Sequence, residues 1–153
     1  MLHLRPMTAE EYERFNAVLG EDYAQERARN LGTSIEDERE RVERQRQSLQ
    51  AQGLHTPGHS YWHVVGDAGT AVGALWVYVE PGSDRAFIYE IVINPDQRGK
   101  GLGSATLDLL DAWARAAGVT SIALNVFGDN AVAQALYRKH GYVVDAIQVR
   151  KRL

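Results

Sequence analysis

The chain contains no cysteine. Disulfides, cysteine–zinc sites and thiol nucleophiles are therefore excluded, and any group transfer must be direct or use an oxygen or nitrogen nucleophile. Nor is there a surplus of positive charge. With 17 basic and 20 acidic side chains the formal charge is −3, which argues against a nucleic-acid partner held by phosphate neutralisation. No apolar run approaches the roughly 20 residues needed to cross a bilayer. The first residues, Met1-Leu2-His3-Leu4-Arg5-Pro6, lack the apolar stretch of a signal peptide, so a cytoplasmic protein without membrane partners is expected. Internal repeats, low-complexity segments and linkers are missing too. One domain over residues 1–153 accounts for the whole chain.

The residues that are present alternate between strand and helix patterns. Leu2 to Met7 reads as a first strand. Thr8-Ala9-Glu10-Glu11 has capping-box form, and Tyr12, Phe15, Val18 or Leu19, and Tyr23 follow at helical spacing up to Gly32. Thr33-Ser34 opens a second helix to about Ala51, whose apolar stripe of Ile35, Val42 and Leu49 is too thin for a core element. Pairs such as Asp37/Arg41 and Glu40/Arg44 would each support it by roughly 0.2–0.5 kcal/mol. Tyr61 to Gly66, Ala71 to Glu80 and Phe87 to Ile93 read as strands. The middle one is apolar at nearly every position, as in a strand covered on both faces. A helix from about Gly101 to Ala117 buries Leu102, Thr106, Leu109, Trp113 and Ala116. Ser121 to Phe127 reads as a strand, Asn130 to His140 as a helix, and Ile147 to Arg152 as the end of a last strand or hairpin. The fold class is mixed α/β.

The chemistry concentrates in Ile91-Val92-Ile93-Asn94-Pro95-Asp96-Gln97-Arg98-Gly99-Lys100-Gly101-Leu102-Gly103-Ser104. A buried strand enters a turn rich in glycine, and a helix follows at once. Glycines allow positive φ and leave the backbone open to a ligand. The helix start adds uncommitted amides and the positive end of its dipole, which together suit a pyrophosphate. Arg98 and Lys100 would add positive charge. A Walker A loop fails because Gly101, not Ser or Thr, follows Gly99-Lys100. A Rossmann fingerprint fails because Ser104, Ala105 and Thr106 follow Gly101-Leu102-Gly103. An ordinary tight connection is the alternative for this loop taken alone.

The strand, Arg98-x-x-Gly101-x-Gly103, and the downstream Asn130-x-x-Ala133-x-x-Leu136-Tyr137-x-x-x-Gly141-Tyr142 together resemble the GNAT superfamily of acetyl-CoA-dependent N-acetyltransferases. The paired signatures span about Phe87 to Tyr142, and the N-terminal part matches in layout only. The resemblance implies a mixed central sheet of about six or seven strands, splayed at the CoA site and flanked by about four helices. It implies that Gly99, Lys100, Gly101, Leu102, Gly103 and Ser104 contact the CoA pyrophosphate, beside Arg98. Ile91, Val92 and Ile93 would pair with the pantetheine amides, as an open strand edge can. Tyr137 would contact CoA and protonate the departing thiolate, unless it is only a packed aromatic. Asn130 would contact the pantetheine or phosphate region, a role compatible with that of an N-cap. Acetyl-CoA is the implied cosubstrate and no metal is needed. Because terminal strands of this family often take part in dimers, a homodimer would be in keeping.

Glu90 is the candidate base for the acceptor amine, with a structural carboxylate as the plainer alternative. Tyr89, on the opposite side unless the strand bulges, is the second choice. Asn125 could meet substrate or a neighbouring loop. His55, His59 and His63 have a metal-like spacing, but Pro57-Gly58 interrupts them, and substrate contact suits loop histidines better. The acidic cluster Glu36, Asp37, Glu38 and Glu40 reads as a solvated face. The expected reaction is direct attack of an amine, from a small molecule or a protein, on the acetyl thioester. A non-catalytic acyl-CoA sensor of the same fold and a nucleotide-phosphate enzyme are the rival readings.

Overall fold

Thr8 starts the first helix in the way its neighbours dictate. In the computed structural model, which describes residues 1–153, the Glu11 amide donates to Thr8 Oγ1 at 3.2 Å and the Thr8 amide to Glu11 Oε1 at 3.0 Å. That is a capping box. The helix it opens, α1, runs over Ala9–Leu31, followed by α2 over Ile35–Leu49. Five strands follow the expected order: β1 His3–Pro6, β2 His59–Val65, β3 Ala71–Val79, β4 Arg85–Ile93 and β5 Ser121–Leu124. Two more helices, α3 Leu102–Ala116 and α4 Ala131–Lys139, complete the fold. No helix is long and apolar enough to cross a membrane.

The chain divides into two compact units, Met1–Arg14 with Gln50–Asn125, and Phe15–Leu49 with Val126–Leu153. The first unit holds the sheet, in the order β1-β2-β3-β4-β5. Neighbours are antiparallel except β4 and β5, which run parallel across the α3 connection, as parallel strands must. Register sorts the side chains, because directly opposed residues share a face. On one face Trp62 opposes Leu75, Leu75 opposes Ile91 and Val77 opposes Ile88. The α3 helix lies on this side, with Trp113 meeting Trp62 edge-on at 5.0 Å. β3 is buried from Val72 to Val77, as its unbroken apolar run requires.

Two expectations need correction in this unit. The sheet has five strands rather than six or seven. The buried stripe of α3 is Thr106, Leu107, Leu110 and Ala114, with Leu102, Leu109 and Trp113 half-buried and Ala116 exposed. The leucines of α3 offer two overlapping stripes, and the sheet takes the one that buries Leu107 and Leu110 completely. Each such burial contributes about 1.5–3 kcal/mol.

In the second unit α2 is as thinly buried as its composition suggests, with one exception. Glu38 is only 2% exposed and belongs to no solvated face. Arg27 Nε donates to its Oε2 at 2.6 Å and the Thr33 hydroxyl to its Oε1 at 2.7 Å. Burial pushes the Glu38 carboxyl up, but these two bonds outweigh it and hold the group below its ordinary value. Arg41 turns to Glu38 at 3.9 Å, while Arg44 meets Glu40 at 3.7 Å. The expected last strand does not form: residues 143–153 have no regular structure. Val143, Val144, Ile147 and Val149 stay 77–86% exposed. Local β-propensity without a partner's ladder does not make a strand.

Candidate functional site

The end of β4 is where the sheet opens. Its parallel ladder with β5 runs only from Arg85 to Ile88, whereas its antiparallel ladder with β3 continues to Ile93. The edge from Ile91 to Ile93 therefore has no neighbouring strand on the β5 side, and these residues are half-buried. A strand edge left without a neighbour can bind the amides of an extended ligand. Just before this edge the register slips. Trp76 opposes Glu90 but Val77 opposes Ile88, so Tyr89 is an extra residue, a β-bulge of the kind that re-aims side chains near active sites. Glu90 shares the face of Trp76, and the Tyr89 ring stacks on Trp76 at 4.6 Å and 27°. The bulge thus brings Tyr89 to the side of Glu90, not the opposite side that strict alternation assigns.

Beyond Ile93 the chain is pinned and then turned. The Asn94 amide donates to the Val72 carbonyl at 2.8 Å, and its side chain to the Ala71 carbonyl at 3.1 Å. One helical turn over Pro95–Gln97 follows. Arg98 Nε donates back to the Ile93 carbonyl at 3.0 Å, tying the loop to the strand end. Lys100 Nζ donates to Gln97 Oε1 at 3.1 Å. Both cations are exposed. Gly99 and Gly101 have φ of 77° and 74°. Gly101 is the N-cap of α3 and makes no side-chain capping bond. The start of α3, at Leu102 and Gly103, is therefore a helix N-terminus without a capping side chain, where an anion gains from amides and dipole together. Ser104 lies in the first turn of the same helix.

Asn130 and Tyr137 lie in the other unit, and each is placed there by α4. Asn130 caps the helix, accepting from the Ala133 amide at 3.1 Å. Tyr137, half-buried, meets Tyr142 edge-on at 5.7 Å. Asn125 is exposed, one residue past the end of β5. The histidines part company. His55 is exposed at the end of a helical turn, and His63 Nε2 lies 2.9 Å from Glu11. His59 Nδ1 accepts from the Trp76 indole at 2.9 Å, and burial pushes its pKa down. No group of three metal-ligating side chains occurs.

A wall of rings on the sheet face opposite α3 escaped the sequence reading. The chain has 3 Trp, 7 Tyr and 3 Phe, and Tyr12, Tyr61, Trp76, Tyr78, Phe87 and Tyr89 collect here around His59. Tyr12 and Tyr61 both donate to Gln50 Oε1, at 2.7 and 2.9 Å. Alternation on β2, β3 and β4 carried a signal for this array, since its strand members recur two residues apart. The bulge had none.

The chain is similar to known proteins in sequence and in fold. The acetyltransferase (GNAT) family model matches residues 21–142. The chain is 35% identical to the uncharacterized N-acetyltransferase YdgE of Bacillus subtilis, over 98% of this chain and 97% of that one. The crystal structure of YycN from the same organism superposes with a TM-score of 0.95 at 30% identity, covering 100% of this chain and 99% of that chain. The PaiA N-acetyltransferase of Thermoplasma acidophilum, solved in complex with coenzyme A, shares the fold with a TM-score of 0.71 at 17% identity, over 97% and 93% of the two chains. With the opened strand, the glycine turn and a family match over most of its length, the chain belongs to the GNAT acetyltransferase family.

Proposed function

We propose that the protein transfers the acetyl group of acetyl-CoA to a primary amine of a small molecule or protein, by direct attack. The observation that carries this reading is the strand edge Ile91–Ile93 leading into the turn whose residues Gly99 and Gly101 both have positive φ. Backbone amides at Gly99, Lys100, Gly101, Leu102 and Gly103, with Ser104, suit the pyrophosphate, and Arg98 and Lys100 lend charge. The edge of β4 suits the pantetheine amides. Asn130 caps α4, and the family resemblance gives it the further role of a pantetheine or phosphate contact.

In the reaction the amine nitrogen bonds to the acetyl carbon as the carbon–sulfur bond breaks. Glu90, directly or through water, takes the proton that an ammonium must lose before it can attack. Tyr137 gives its phenolic proton to the departing thiolate. A phenol near 10 and a thiol near 8.5 make that transfer slightly uphill in water, so positioning does much of the work. No acyl-enzyme is needed, in keeping with a chain that has no cysteine.

The test is release of free CoA from acetyl-CoA with a panel of primary amines, comparing the parent protein with Tyr137→Phe. Turnover that depends on amine and falls in the variant supports the reading. Acetyl-CoA binding with no turnover across the panel would instead fit a non-catalytic acyl-CoA sensor of the same fold.

A further inference from the structure

The ring wall has a chemistry of its own. Counted along the face that Trp76 shares with Glu90, it comprises His59 and Tyr61 on β2, Trp76 and Tyr78 on β3, and Phe87 and Tyr89 on β4. The rings form one connected surface. Tyr61 stacks on Trp76 at 5.2 Å, Trp76 on Tyr89 at 4.6 Å, Phe87 meets Tyr89 edge-on at 4.8 Å, and His59 lies 4.4 Å from Tyr78. Trp76 and Tyr61 are buried, while His59, Tyr78, Phe87 and Tyr89 are half-buried and reach the surface. The Tyr89 bulge sets this array against Glu90, at the threshold of the opened strand edge.

His59 accepts the Trp76 indole proton at Nδ1, and burial favours its neutral form, so the centre of the wall carries no cation. Burial likewise keeps the Tyr61 and Tyr89 phenols protonated. Arg5 on β1 opposes His63 but is bound by both oxygens of Glu11, at 3.1 and 2.8 Å. The wall offers ring faces, whose quadrupoles attract cations, and Glu90 lies on the same face, opposite Trp76. Two other strand residues alternate onto this face away from its centre: Arg85, exposed at the start of β4, and His63, which lies 2.9 Å from Glu11.

We infer that the acceptor is a primary amine carried on a flat aromatic body, with the ring stacked on Tyr78, Phe87 and Tyr89 and the ammonium directed to Glu90. This inference rests on the acetyltransferase reading and narrows its substrate class. Stacked or edge-to-face ring pairs attract beyond the area they bury, and a cation over a ring face adds to this.

The experiment measures CoA release at saturating acetyl-CoA with 2-phenylethylamine, 1,4-diaminobutane and glutamate, alongside acetyl-CoA affinity by calorimetry. We expect kcat/KM for 2-phenylethylamine to exceed that for the other two by at least about tenfold, or about 1.4 kcal/mol. Tyr89→Leu should lose that preference, chiefly through KM, and Tyr89→Phe should retain it. Tyr78→Leu is a second probe at a site outside the bulge, and neither Leu variant should change acetyl-CoA affinity. Equal or better use of the diamine or of glutamate, or no use of any of the three by a protein that binds acetyl-CoA, overturns the aromatic acceptor and leaves the acetyltransferase reading standing. Failure to bind acetyl-CoA overturns both.

Discussion

Replacing Gly101 by alanine separates two duties that this residue performs. A built Cβ at Gly101 has no atom within 4 Å, yet its φ is +74°. The substitution therefore meets no clash, and its cost is backbone strain alone. An L-residue in the left-handed region costs about 1–2 kcal/mol. For a chain of this size that lowers Tm by roughly 2–8 °C. Gly118, just past the other end of α3, provides the control, with φ of +75° and equally open space. Gly118→Ala should lose about the same stability for the same reason. Only Gly101→Ala should also weaken acetyl-CoA, by about tenfold or 1.4 kcal/mol, because the turn relaxes away from the geometry that aims the α3 amides. Calorimetric melting and acetyl-CoA titration of both variants decide the matter. If both lose affinity equally, or Gly101→Ala keeps full affinity while destabilised, the turn is a connection and not a ligand cradle.

Other consequences can be measured on the same material. Leu110 is 0% exposed, so Leu110→Ala should cost about 2–5 kcal/mol in denaturant unfolding, with m unchanged. Glu38→Ala leaves Arg27 without its 2.6 Å partner and should cost about 2–4 kcal/mol, toward the low side of buried pairs because Arg27 is partly exposed. The stability that Glu11 and Glu38 contribute should be full above the ordinary carboxylate value and fall until lost as pH drops through and below it. The Glu11 and Glu38 carboxyls are both held below that value in the folded protein, so the unfolded chain takes up their protons first. Glu38→Gln should shallow that fall. Tyr137→Phe should lower kcat about 100-fold, the range of general acid catalysis, with acetyl-CoA affinity little changed.

What the sequence made legible follows from how local each signal is. The Thr8–Glu11 capping box and the Asn130 cap are satisfied within a few residues, and both form as read. The positive φ of Gly99 and Gly101 is equally local. Features decided by partners distant in sequence were not legible. The Tyr89 bulge depends on how β4 registers against Trp76 and Val77, and no Gly or Pro marks it. Glu38 sits in an acidic run typical of solvated helix faces, yet Arg27, eleven residues away, takes it into the interior. Val143 to Val149 have strand-like composition, but a strand exists only where another offers its hydrogen bonds. The α3 stripe was misplaced because Leu107 and Leu110 compete with Leu102, Leu109 and Trp113, and the sheet makes the choice.

The most direct test is isothermal titration of the folded protein with acetyl-CoA, set beside ATP, GTP and NAD. The account predicts one-to-one uptake of acetyl-CoA and stabilisation of about 2.7 kcal/mol at 100 times Kd, with no comparable effect from the other three. Absence of acetyl-CoA uptake, or equal uptake of the nucleotides, would contradict it.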